Sequence, residues 1–112
     1  MAKFETVFMG NFDSVLDRIE EGILSGSISA SLEDASDFQN GSARCSVRVF
    51  ERYSYTGANR VSLNVVLFQG EDGKIELSAI SSGGSQGVFF KFNTFGEEAF
   101  LDKLRELLAC MD

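Results

Sequence analysis

Glu51 is the side chain of this sequence that is best placed to do chemistry. It follows Val47 and Val49 at a spacing of two residues, so a strand would turn its carboxylate toward the same face as these valines. A carboxylate on an apolar face of a sheet costs free energy unless it is paired or lies near the rim of the sheet. Facing an internal pocket, Glu51 would be a protonated hydrogen-bond donor or a general acid or base. At a strand end, it would instead reach water or bind Arg60 or Tyr55.

Two further polar residues join Glu51 in the predicted sheet. The register places Tyr53 on the same face and Ser81 near the level of Leu63. A few polar groups inside an otherwise apolar surface are typical of a small-ligand site. We therefore predict a ligand-binding site without catalytic residues, cofactor or metal, formed from Glu51, Tyr53, Ser81, Tyr55 and Arg60.

Two absent residue types limit the chemistry. The sequence contains no histidine, so the chain cannot form a Ser-His, Cys-His or His-metal site. An enzyme that uses Glu51 and Tyr53 would need a cofactor or a histidine-free mechanism, and we favour a non-enzymatic protein. The sequence also lacks proline, so Gly, Asn, Asp and Ser must make its turns.

The arginines Arg44, Arg48 and Arg52 suggest an anion or nucleic-acid patch. Residues 41–70 carry four arginines and one acid, although the whole chain has a net charge of −7. The predicted register sets Asp37 opposite Arg44 and Glu33 opposite Arg48. We therefore interpret the arginines as paired charges on the outer face of the sheet, and we expect no nucleic-acid partner.

Length and composition indicate one soluble domain. The chain has 112 residues, enough for a single core, and its 44% apolar content excludes a disordered protein. The first residues do not resemble a signal peptide, and the longest aliphatic or aromatic run, 65–68, is too short to span a membrane. Cys45 and Cys110 form no CxxC motif. These features favour a cytoplasmic protein with free thiols.

Periodicity predicts the elements that would position the candidate residues. A short strand over Lys3–Phe8 precedes a helix that Asn11 caps and that ends between residues 21 and 25. Strands follow near 27–33, 43–49, 61–68 and 75–79, and a further strand is expected over 87–93. Thr94 and Glu97 form a capping box for a final helix with a wide apolar stripe.

Turn chemistry predicts the register of these strands. If Asn40-Gly41 is a two-residue turn, paired residue numbers sum to 81, so Leu32 lies opposite Val49. The turns near Gly57 and at Gly73 then place the odd-numbered apolar residues of three strands on one core face. The sequence thus predicts an α+β fold: an antiparallel β-meander of five or six strands, an N-terminal helix after the first strand, and a long C-terminal helix packed on one face.

Two features near the C-terminus offer weaker indications. The polar run 81–86 could wrap an anion with backbone N–H groups, but it lacks the lysine and helix of a phosphate loop. At least one of Phe89 and Phe90 is expected on the outer face, which suggests a dimer contact or a binding patch.

Several segments resemble a known group of proteins. Residues 51–57, 59–65, 82–86 and 95–101 are similar to a small bacterial family of uncharacterised domains, over nearly the whole chain. This resemblance implies a bacterial cytoplasmic origin and no particular activity. The order of elements is also similar to the helix-grip layout of START and plant-allergen-like domains, in which a curved sheet wraps the last helix around an apolar cavity.

Two functions compete on these grounds. The first is a non-enzymatic module that holds a small apolar or amphipathic ligand between the sheet and the C-terminal helix, oriented by Glu51 and Tyr53. The second is a homo-oligomeric structural or protein-interaction domain that dimerises through a sheet edge or a patch around Phe89.

Overall fold

The computed structural model describes residues 2–26, 29–53 and 60–83, which form one helix and a five-stranded antiparallel sheet. The strand order across the sheet is β1-β5-β4-β3-β2. The predicted meander with an N-terminal helix is therefore confirmed. The predicted strand over 87–93 and the C-terminal helix lie outside the described residues. The elements are β1 (Ala2–Met9), α1 (Phe12–Ser25), β2 (Ser31–Asn40), β3 (Ala43–Tyr53), β4 (Arg60–Gln69) and β5 (Lys74–Gly83).

Helix α1 begins and ends where its sequence indicates. The side chain of Asn11 accepts a hydrogen bond of 2.9 Å from the backbone N–H of Ser14, one of the donors that a helix start leaves unpaired. The helix ends at Ser25, and Gly26 donates its N–H to the carbonyl of Gly22. The buried side chains of α1 follow helical spacing: Phe12, Val15, Leu16, Ile19 and Ile23.

The buried stripe of α1 packs on one side of the sheet, which we name the helical face. Residues from four strands contribute to the core on this face, including Ala2, Phe50, Leu63 and Ile75. Two ion pairs join the helix to β3 on the same side, Asp13 with Arg44 and Glu20 with Arg48. The helical face therefore holds the core of the described residues.

The opposite side of the sheet, which we name the open face, carries a second set of apolar side chains. Alternation along the strands assigns to it Val7, Met9, Phe38, Cys45, Val47, Val49, Val66, Phe68 and Ile80. Val7 is 57% exposed, Phe38 61% and Phe68 38%, whereas the core residues of the helical face are almost fully buried. The one helix among the described residues lies on the other side.

The register between β3 and β4 corrects the predicted core face. Phe50 lies opposite Leu63 and Arg48 opposite Val65, so Val47 and Val49 point to the open face. The expected odd-to-odd pairing is wrong, because the even-numbered positions of β3 face the core although they carry arginines, two of which pair with acids of α1. The pairing of β4 with β5 is as predicted, with Leu67 opposite Leu77.

The β2–β3 hairpin is also shifted from its predicted register. The turn residues are Gly41 and Ser42, with Gly41 at a φ of 62° and Asn40 paired with Ala43. Paired numbers therefore sum to 83 near the turn and to 82 beyond the irregularity between Leu32 and Asp34. As a result β2 spans Ser31–Asn40 instead of 27–33, and Leu32 lies opposite Phe50 instead of Val49.

The predicted outward orientation of the arginines is wrong for the same reason. Arg44 and Arg48 lie on the helical face, where α1 supplies the acids that pair with them. The predicted partners across the hairpin are not found, since Asp37 lies opposite Ser46 and Ala35 lies opposite Arg48. The interpretation as paired charge holds in part, but the pairing ties the helix to the sheet and is not confined to the hairpin.

Candidate functional site

Three of the five predicted site residues come together on the open face. Arg60, at the start of β4, places Nη2 2.6 Å from the Glu51 carboxylate and 3.6 Å from that of Glu33. The guanidinium carbon also lies 5.7 Å from the centre of the Tyr53 ring, within the range of a cation–π contact. We name Glu33, Glu51, Tyr53 and Arg60 the Arg60 cluster.

Ser81 does not join this cluster. It lies opposite Leu63, as the register of β4 and β5 predicted, but both residues face α1. Because β3 faces the opposite way from the prediction, Glu51 and Tyr53 lie on the other side of the sheet from Ser81. Ser81 is completely buried, and its Oγ has no hydrogen-bond partner in the described part of the chain. Tyr55 lies outside the described residues.

The Arg60 cluster is a partly exposed ion-pair group. About half of the Arg60 side chain and 29% of that of Glu51 remain accessible to solvent. The structure therefore matches the interpretation of Glu51 as an ion-paired side chain that reaches solvent. Such a group can hydrogen-bond a polar ligand from both its acidic and its basic member.

A shallow cleft of about 460 Å³ occupies the other end of the open face. Its apolar part consists of Val7, Val66 and Phe68, from three adjacent strands. Glu5 and Glu76 add carboxylates, and the Ser78 hydroxyl lies 3.4 Å from the Glu5 carboxylate. The complete lining is Glu5, Thr6, Val7, Val66, Phe68, Glu76, Leu77 and Ser78.

Sequence reasoning missed this cleft, although one signal pointed to it. The run Val65-Val66-Leu67-Phe68 is apolar at both its odd and its even positions, which indicates a strand with two apolar faces. The Arg60 cluster and the cleft lie far apart along β4. Arg60 and Val66 are six residues apart, which corresponds to about 20 Å of strand.

A second charged group lies on the helical face, and its members hydrogen-bond one another. Arg48 is 8% exposed and hydrogen-bonds the carboxylates of Glu20 and, at 3.0 Å, Asp37. Asp37 also accepts a 2.6 Å hydrogen bond from the Ser46 hydroxyl. Nε and Nη1 of this guanidinium are both engaged, so the group holds α1 and β2 against β3.

These contacts shift several pKa values. The hydrogen bond from Ser46, followed by that from Arg48, holds the pKa of Asp37 below its usual value. The hydrogen bond from Arg44 lowers the pKa of Asp13 in the same way. Burial lowers the pKa of Arg48, but the hydrogen bonds to Glu20 and Asp37 outweigh that effect and raise it. All of these groups are charged near neutral pH.

Two kinds of site are missing from the residues described. Within 2–26, 29–53 and 60–83, the structure brings no three cysteine, aspartate or glutamate side chains close enough to hold a metal ion. The helix in those ranges is too short and too polar to cross a membrane.

Comparison with known proteins places the chain in a family. No curated protein sequence and no solved structure matches it. A family profile matches residues 1–112, over the full length of the chain. The resemblance to an uncharacterised family is thereby confirmed, whereas a likeness to helix-grip domains is not shown. The chain belongs to DUF6054, a family of unknown function.

Proposed function

We propose that this chain is a non-enzymatic cytoplasmic module, in a bacterial family, that binds a small apolar or amphipathic molecule on the open face of its sheet. The observation that supports the proposal is the cleft at Val7, Val66 and Phe68. Its volume of about 460 Å³ falls within the range of small-molecule pockets, about 300–1,000 Å³. Apolar walls with a few polar groups are the usual composition of such sites.

The lining of the cleft favours a ligand with hydrogen-bond donors. Glu5 and Glu76 present acceptors only, and Ser78 can accept as well as donate. The net charge of −7 adds long-range repulsion for anions. A neutral or cationic molecule with an apolar body fits these properties best.

The Arg60 cluster is the proposed second contact of an elongated ligand. It lies on the same face as the cleft, about 20 Å away along β4. An amphipathic molecule of that length would rest its apolar part in the cleft and its polar end on Glu51, Tyr53 and Arg60. Tyr55 remains part of this proposal, whereas the burial of Ser81 beneath α1 removes it.

The packing of the helical face supports a place for the predicted C-terminal helix. Helix α1 pairs with Arg44 and Arg48 of β3, while Phe4 and Phe8 of β1 are only partly buried on the same face. We propose that the apolar stripe of 100–111 packs beside α1 near these phenylalanines, in a helix-grip-like layer. The ligand site then lies on the opposite side of the sheet, not between the sheet and this helix.

Binding of the neutral fluorophore N-phenyl-1-naphthylamine tests the proposal. We expect its emission to rise with the wild-type protein and Phe68→Asp to weaken its binding at least tenfold. Leu24→Asp is the matched control, because Leu24 is as exposed as Phe68 but lies on α1, away from the open face. Failure of the wild type to bind, or equal binding by the two variants, would refute the proposed site.

The second candidate function, a homo-oligomeric domain, is supported by the exposed apolar side chains of the open face. The β2 edge does not support it. Glu33, Asp34 and Asp37 lie on that strand, and pairing with a second acidic edge would bring like charges together.

A further inference from the structure

We propose that a second copy of this chain packs on the open face and closes the cleft, so that the ligand site lies between two chains. The ligand part of this inference rests on the proposed function, whereas the dimer part rests on the open face alone. The two chains would be related by a two-fold axis, with the same surface used by both.

The exposure of the cleft shows why one chain gives only half of a site. Val7 is 57% exposed and Phe68 38% exposed, although both line the cleft. Established small-molecule sites bury about 70–90% of the ligand surface. A flat sheet provides one wall, and a ligand resting on it would keep its other side in water. A second wall must come from outside this face.

The open face is large enough for a stable dimer. Strands of about ten residues at about 3.3 Å per residue, five abreast at about 4.8 Å, give a surface of roughly 33 by 24 Å. That is about 800 Å² for each partner, the size of a standard protein–protein interface. Sheets that pack face to face in this way form a β-sandwich.

The charges of the open face also suit self-association. In β1, β3, β4 and β5 the face carries three basic and three acidic side chains, and Glu33 and Asp34 of β2 give it a net charge of −2, against −7 for the whole chain. Its centre, at Val47, Val49 and Val66, is uncharged. An uncharged centre within a charged rim is the usual arrangement of an interface. The six charged residues of β1, β3, β4 and β5 are Lys3, Glu5, Glu51, Arg60, Lys74 and Glu76.

Sedimentation of the full-length chain between about 1 and 200 μM tests the dimer. We expect a dimer at the higher concentrations, and we expect Val66→Lys, at the centre of the face, to weaken it at least 100-fold. Ser25→Lys adds the same charge at the exposed end of α1 and should leave the dimer unchanged. Ile80→Lys provides a second disruptive variant at a more exposed position, in case Val66→Lys does not fold.

The thiol of Cys45 reports directly on coverage of the face. Cys45 lies between Phe38 and Phe68 in a row across the open face. In a Cys110→Ser background, we expect its rate of alkylation to fall at least tenfold between dilute and concentrated protein. The added substitution Val66→Lys should abolish this concentration dependence.

The results separate this inference from the proposed function. A dimer that binds N-phenyl-1-naphthylamine, and loses binding with Ile80→Lys, supports both, because Ile80 lies on the open face but not in the lining of the cleft. A monomer at 200 μM, or a dimer that survives both lysine substitutions on the face, overturns the inference. A monomer that binds the fluorophore leaves the proposed function intact, whereas a dimer that never binds it overturns the proposed function and the shared site.

Discussion

Two buried serines on the helical face differ in their hydrogen bonding. The Ser46 hydroxyl donates to Asp37 at 2.6 Å, whereas the Ser81 Oγ has no partner within the described residues. An unsatisfied buried hydroxyl costs about 1–3 kcal/mol, and a satisfied one contributes about 1 kcal/mol. We expect Ser81→Ala to raise the free energy of unfolding by about 1 kcal/mol and Ser46→Ala to lower it by a similar amount.

Urea denaturation of the two alanine variants checks this pair. Both substitutions remove a hydroxyl from the same face of the sheet. The sign of the change in the free energy of unfolding therefore reports whether that hydroxyl is hydrogen-bonded. A loss of stability in Ser81→Ala would mean that its hydroxyl has a partner in the folded protein.

Asp37 makes stability depend on pH in the acid range. Its pKa is held below the model-peptide value of 3.8 by Ser46 and Arg48. A carboxyl with a lowered folded pKa stabilises the protein fully above 3.8, and this contribution is lost as the pH falls through the lower folded value. We expect Asp37→Asn to reduce the free energy of unfolding at pH 7 by less than about 1 kcal/mol, because Asp37 is exposed.

The difference between wild type and Asp37→Asn should shrink as the pH falls below 3.8 and disappear below the lowered folded pKa of Asp37. Asp34→Asn is the matched control, since Asp34 lies on the same exposed strand and accepts only a local hydrogen bond from Ala35. Urea denaturation at pH 7, 4 and 3 measures both variants. An effect of Asp37→Asn that persists unchanged at low pH would contradict an origin in ionisation.

Individual residues of the candidate site were only partly predictable. The sequence left the pairing of Glu51 with Arg60 open as one of several alternatives. The two residues lie on the paired strands β3 and β4, close together along the chain, so this ion pair can be predicted from the sequence. Arg48 was misplaced because an arginine in an alternating strand normally marks the solvent side. Its burial depends on Glu20, 28 residues earlier, and no local pattern encodes that contact.

Among the secondary-structure elements, α1 was the most predictable because its signals are local. Asn11 caps the helix, and the apolar spacing defines its buried stripe. We expect Asn11→Ala to lower the free energy of unfolding by about 1 kcal/mol, while Asn11→Asp, which keeps the acceptor, should have little effect. Thermal unfolding followed by circular dichroism tests this, and equal melting temperatures for the two variants would argue against the cap.

The faces of β3 show where prediction from sequence ends. Its odd positions include Val47 and Val49 and its even positions include three arginines, so the alternation favours the orientation opposite to the observed one. The orientation depends on the connection to β4, and a shift of one residue there exchanges the two faces. The register of β5 was correct because Gly73, at a φ of 83°, fixes a short turn next to it.

At the scale of the whole molecule, the sheet has two apolar faces and one described helix. This explains why the cleft was not anticipated: the sequence was interpreted as a sheet with one core face and one polar face. The run 65–68 of β4, which is apolar at both odd and even positions, is typical of a strand in a sheet that is covered on both sides. The function proposed for this protein follows from that second face.

The dimer inferred from this face should become tighter as salt increases. Each chain carries a net charge of −7 and each contacting face a net charge of −2, so the long-range force between two chains is repulsive. The screening length falls from about 30 Å at 0.01 M salt to about 10 Å at 0.1 M. We expect sedimentation to show a dissociation constant that falls several-fold between 10 and 150 mM NaCl and then levels off. An interface held by ion pairs would show the opposite dependence, and a dissociation constant that rises with salt would contradict an apolar contact.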